Sequence, residues 1–110
     1  MRLGDENSLF EAIEIFESKF AGWLKSRLEQ RGIFVEENIP FKEVLKQYEN
    51  NLNGDSQHVN PLMNWAREKE KCTNLKGHLN SGNFLEKSEF DFLEKTAMNG
   101  AVLLLTFQNN

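Results

Sequence analysis

The sequence predicts an all-α fold: a single-domain bundle of about four helices spanning residues 1–110. Two observations carry that prediction. Apolar residues recur at helical spacing through most of the chain, and helix-punctuating residues (Gly32, Pro40, Pro61, Ser88) fall between those stretches. Only two short apolar runs, 33–35 and 102–107, read as strands, and their pairing is the alternative to an all-helical chain.

The first helix is predicted over Ser8–Arg31. Ser8 and Glu11 have the spacing of a capping box, in which both side chains satisfy amides that the first turn leaves free. At about 100° per residue, Leu9, Phe10, Ala12, Ile13, Phe16, Phe20, Trp23, Leu24 and Leu28 share one broad face. Glu11, Glu14, Glu17 and Ser18 lie opposite, and Ile15 on that polar side is not explained by the core. Acidic residues come early and Lys25, Arg27 and Arg31 late, as the helix dipole prefers. Gly32 then supplies the left-handed residue that ends a helix.

Ile33-Phe34-Val35 reads as a brief strand or an extended connector. Pro40 turns Ile39 away from helical geometry and suits the first position of a second helix, whose apolar face is Phe41, Val44, Leu45, Tyr48 and Leu52. That helix runs into the turn-forming cluster Asn50–Asp55.

Asn60-Pro61 predicts the start of a third helix, an N-cap residue followed by proline. Its apolar side is Leu62, Met63, Trp65 and Ala66, and the charged run Arg67–Lys71 marks a solvated end near Cys72. Thr73–Gly82, with two glycines, reads as an irregular connection. Ser88 is the expected cap of a fourth helix carrying Phe90, Leu93, Ala97 and Met98. Continuing it through Gly100 costs about 1 kcal/mol relative to alanine and is favoured over ending it at Asn99-Gly100.

Composition limits the function classes. Nine phenylalanines and two tryptophans supply the bulk for one modest core. Thirteen Lys+Arg against seventeen Asp+Glu give a net charge of −4, which disfavours a general nucleic-acid footprint. No apolar run is long enough for a membrane span, and the first residues lack the pattern of a secretory signal. The single cysteine excludes an internal disulfide framework and fits a reducing compartment, so the expected location is cytoplasmic.

Reactive side chains are sparse. His58 lies in Asp55-Ser56-Gln57-His58, but a nucleophile–base pair needs an oriented geometry that neighbouring turn residues do not specify. Cys72, His58 and His78 fall one short of a four-ligand zinc site. Cys72 would become a reactive thiol if Lys69, Lys71 or Lys76 lowered its pKa; the plainer reading is a small, partly buried residue. Glycines 77 and 82 lack the lysine and hydroxyl of a phosphate loop. The expectation is a non-enzyme without metal or cofactor.

Two surface patches remain. An acidic one combines Glu11, Glu14 and Glu17 with Glu36, Glu37 and Glu43, and suits a basic protein partner. A basic one combines Lys25, Arg27, Arg31, Arg67, Lys69, Lys71 and Lys76, with Trp65 or His78 available for stacking, and suits nucleic acid. Glu29, Glu68 and Glu70 interrupt the basic set. The expected function is a small acidic protein-binding domain of the immunity or antitoxin kind, blocking a basic partner such as a nuclease toxin. A nucleic-acid-associated subunit is the alternative. Ile15, Trp65 and the C-terminal apolar run offer a surface for a homodimer.

Overall fold

A computed structural model describes residues 5–51 and 56–108. Four helices make up the fold: α1 (Glu6–Gln30), α2 (Phe41–Asn51), α3 (Ser56–Asn80) and α4 (Lys87–Gln108). No strand occurs among the described residues, so 33–35 is a connector without regular secondary structure and 102–107 belongs to a helix. Leu52 and the turn residues 53–55 lie outside the described residues.

Helix starts differ from the sequence reading in a consistent way. The N-cap of α1 is Asp5, three residues before Ser8, and its carboxylate accepts from the Ser8 amide at 2.9 Å. A carboxylate at this position both takes an orphan amide and meets the positive end of the helix dipole, which the Ser8 hydroxyl does only in part. Likewise α4 starts before Ser88. The Glu86 amide donates to Glu89 Oε1 at 2.8 Å, half of a capping box, and the Glu86 carbonyl takes the first helical bond from Phe90. Pro40 immediately precedes α2, its carbonyl accepting from the amides of Glu43 and Val44.

The start of α3 shifts furthest. The helix begins at Ser56 and carries Pro61 inside it, although an interior proline loses one hydrogen bond and crowds the preceding turn at a cost of about 3 kcal/mol. Packing of the first turn opposes that cost. Val59 is buried, and the His58 ring lies 5.3 Å from Trp23 and 5.2 Å from Phe107. The predicted irregular stretch 73–82 is also helical as far as Asn80. Gly77 costs about 1 kcal/mol there, while Leu75 and Leu79 pack on the core. The charged run 67–71 is therefore the middle of a helix.

Two helix ends share one geometry. Gly32 and Gly82 adopt φ of 79° and 88°, and the following amides of Ile33 and Asn83 reach back to Leu28 and His78. These are Schellman ends, which require a left-handed residue and so select glycine.

Ring contacts and ion pairs fix the topology. Gly100 of α4 lies against Phe16, and Phe107 lies 4.7 Å from Trp23, so α4 runs parallel to α1. The pairs Glu14–Lys76, Glu17–Lys69, Phe20–Trp65 and Trp23–His58 step in opposite senses, so α3 is antiparallel to α1. The short α2 packs against α1 and α3. At 1.5 Å per residue it covers about 16 Å of a seam about 37 Å long. Two ion pairs, Glu17–Lys69 beside α2 and Glu14–Lys76, bridge α1 and α3 directly.

The largest buried side chain is Trp65, 1% exposed, with the rings of Phe20 and Phe41 edge-on to it, and Leu24, Tyr48, Leu62 and Leu93 share the same core. Its indole nitrogen donates to the Thr96 carbonyl at 3.0 Å. Gly100 makes that contact accessible: a Cβ there would sit 2.8 Å from Phe16 Cδ2 and 3.0 Å from the indole nitrogen. The glycine that weakens α4 as a helix thus lets α1 and α3 close on it.

Candidate functional site

The structure separates the acidic candidates into two groups. Glu14 accepts from Lys76 at 3.0 Å and Glu17 pairs with Lys69 at 2.6 Å, so both face α3. Glu11 is exposed one turn earlier on α1. Glu36 and Glu37 stand exposed on the connector after α1, far along the helix from Glu14. Glu43 is exposed in the first turn of α2. The sequence reading treated these as one face, whereas two of the carboxylates spend their charge on the basic helix beside them.

The basic candidates are dispersed as well. Lys25 donates to the Glu37 carbonyl at 2.9 Å, which ties the connector to α1. Arg27 lies 4.6 Å over the Trp23 ring, and Lys71 lies 5.8 Å over Phe92 on the α4 side. Arg31 is exposed at the end of α1. Lys69 and Lys76 are the partners of Glu17 and Glu14. Trp65 is buried and presents no face for stacking a base, while His78 is exposed in the last turn of α3.

Arg67 and Lys69 do come together with residues the sequence reading did not single out. Lys42 and Lys46 of α2 join them around a cleft of about 740 Å³, floored by Phe41, Leu45, Met63 and Ala66. Glu17, Glu49 and Glu70 interleave with the four cations, so the rim carries both signs. The Lys42/Lys46 spacing of four on a short helix was a usable signal for that edge.

The connector has the most directed geometry. Residues 33–36 form neither helix nor turn, and exposure alternates along them, with Ile33 and Val35 turned toward the core and Phe34 and Glu36 exposed. Val35 is buried and Ile33 is packed against the core, which turns Phe34 outward to 82% exposure. The Schellman bond from Ile33 to Leu28 holds one end, and the Lys25–Glu37 bond holds the other. An exposed phenyl ring on a tied backbone therefore stands two residues before the carboxylates of Glu36 and Glu37. Phe84, 91% exposed, occupies the corresponding position after the other Schellman end.

Cys72 is buried mid-helix. Burial pushes its thiol pKa up, helped by Glu68 and only partly offset by a hydrogen bond with Thr96 and by Lys69. That is the opposite of the activated thiol weighed from the neighbouring lysines. His58 sits in the Trp23–Phe107 ring cluster rather than in a loop. Among the described residues no three His, Cys, Asp or Glu side chains converge on a metal-sized site, and no helix is long and apolar enough to cross a membrane. No protein-family model matches the chain, and no curated protein or solved structure matches it either.

Proposed function

We propose that this chain is a protein-binding domain whose contact edge is the connector Phe34, Glu36 and Glu37, acting as an inhibitor of the immunity or antitoxin kind on a basic partner such as a nuclease toxin in the cytoplasm. The observation that supports this reading most is Phe34: an exposed ring between core-packed Ile33 and buried Val35 on a tied connector, near two exposed carboxylates. Burying one such aromatic in a partner's pocket supplies a central anchor, and flanking carboxylates steer a basic surface into register. Pre-ordering of the connector lowers the conformational cost of association. Glu11 extends the acidic surface on α1, whereas Glu14 and Glu17 contribute less because Lys76 and Lys69 already neutralise them.

The test is affinity capture with tagged wild type and a Phe34→Ala/Glu36→Lys/Glu37→Lys variant in parallel. The expected result is a stoichiometric basic protein held by the wild type and released by the variant, with binding that weakens as salt rises. Equal capture by both would refute the connector as the binding edge. Filter binding of labelled DNA and RNA addresses the alternative, in which Lys42, Lys46, Arg67 and Lys69 follow a phosphate backbone.

A further inference from the structure

The cleft between α2 and α3 is built independently of the connector. Both signs of charge line its rim, but they are ordered along its length. Phe41 meets Trp65 edge-on, and Tyr48 lies against Trp23, which also meets His58, so α2 runs antiparallel to α3. Projected on α3 by the Phe41–Trp65 register, the charges follow in the order Glu49, Lys46, Lys42, Arg67 and Glu70. Three cations are therefore contiguous over about 10 Å, with an acid at either end. Lys69, close to Arg67 in this order, is already held by Glu17. No ion pair among the described residues engages Lys42, Lys46 or Arg67. Leu45, Met63, Phe41 and Ala66 supply an apolar floor over the same interval. We infer that this cleft binds a small carboxylate amphiphile of the medium-chain fatty-acid class, its tail on that floor and its head group among Lys42, Lys46 and Arg67.

The choice of ligand follows from the order of charges and from the floor together. A cavity of about 740 Å³ has the size of a small-molecule site, and an apolar lining with a few convergent polar groups is the usual construction of one. A guanidinium donates two parallel hydrogen bonds to a carboxylate, and lysine stems extend an apolar wall beneath their charges. Met63 and Ala66 are only half-buried, so an occupying chain removes apolar surface from water. Each methylene buried this way is worth about fourfold in affinity. A phosphate backbone laid along the groove would pass Glu49 or Glu70 and be repelled there, whereas a compact head group stops between them. A cationic amphiphile would meet three like charges.

Titration calorimetry of the full chain with decanoate, octanoate, acetate and decyltrimethylammonium tests this, with methyl NMR to locate the ligand. Decanoate is expected to bind at one site, octanoate about tenfold more weakly, and the other two not measurably. The methyl signals of Met63 and Ala66 should shift on saturation while that of Met98, exposed on α4, stays in place. Lys42 and Arg67 are both exposed, so Lys42→Glu/Arg67→Glu should keep its helicity by circular dichroism and lose affinity for decanoate by about tenfold or more. Lys46→Glu alone should weaken binding in the same direction. Absence of decanoate binding below its aggregation concentration overturns the inference. So does equal binding of decyltrimethylammonium, a site indifferent to the double variant, or shifts at Met98 in place of Met63 and Ala66. Acetate bound as tightly as decanoate would reduce the cleft to a simple anion site and overturn the assignment of an amphiphile.

Discussion

Gly100 is the residue at which helix propensity and packing disagree most sharply. On propensity alone, alanine there would strengthen α4 by about 1 kcal/mol. In the folded protein its methyl would sit 2.8 Å from Phe16 Cδ2, closer than real side chains approach, and a tight 3.0 Å from the Trp65 indole nitrogen. Relieving that overlap means displacing the Phe16 ring and crowding the Trp65 indole whose nitrogen donates to the Thr96 carbonyl. Overpacking of this kind costs about 1–3 kcal/mol, so Gly100→Ala is expected to lower stability in urea unfolding despite its better helix propensity. Thr96 joins the same buried node, donating its hydroxyl to the Phe92 carbonyl and lying within hydrogen-bonding reach of Cys72.

Cys72 gives a prediction with a defined sign. Its folded-state pKa is raised, so the unfolded chain loses the thiol proton first as pH increases. Stability from this group is complete below the ordinary thiol value, about 8.5, and declines as pH climbs past it. Unfolding midpoints measured across that range should fall more steeply for wild type than for Cys72→Ala. A thiol reagent at neutral pH should label the native protein only as fast as it opens. Matching pH profiles for the two proteins would count against the buried thiol.

Among the elements, the four helices and the start of α2 behind Pro40 were legible in the sequence, while the starts of α1, α3 and α4 and the length of α3 were not. Gly32 ends α1 as its position after the apolar stripe indicates, and α4 passes through Gly100 as its continuing stripe indicates. Ser8 and Ser88 drew attention as caps because hydroxyls are common there, while the carboxylates of Asp5, three residues upstream of Ser8, and Glu89, which accepts from the Glu86 amide, hold the true ends. Pro61 and Gly77 read as breaks because local cost was visible and the opposing burial was not. His58 and Val59 repack the start of α3 against residues more than 30 positions away, and no local pattern encodes that. The same distance hides the α1–α3 seam, where Glu14 meets Lys76 across 62 residues. Those ion pairs are partly exposed, so Lys69→Ala is expected to cost about 1 kcal/mol or less, shrinking further in high salt. A larger, salt-independent loss in thermal unfolding would show that the seam depends on more than charge.

At the scale of the whole molecule, the acidic and basic patches that the sequence suggested meet at two pairs, Glu14–Lys76 and Glu17–Lys69. Composition supplied the charges, but the antiparallel approach of α1 and α3 decided which remained available. What the fold leaves presented is an aromatic–acidic connector near one end of a body with a long axis of 46 Å, and an exposed apolar stripe of Met98, Val102 and Leu105 along α4. Glu36 and Glu37 were legible as candidates, whereas Phe34 was not, because its outward direction follows from the burial of Ile33 and Val35 on either side.

The connector variant Phe34→Ala/Glu36→Lys/Glu37→Lys tests this account most directly when its stability and its binding are measured on the same preparation. None of the three side chains is buried, so its urea midpoint should equal that of the wild type while capture of the basic partner is lost. A variant that still holds the partner, or one whose lost binding comes with a lowered midpoint, would contradict the assignment of the connector as a functional rather than structural edge.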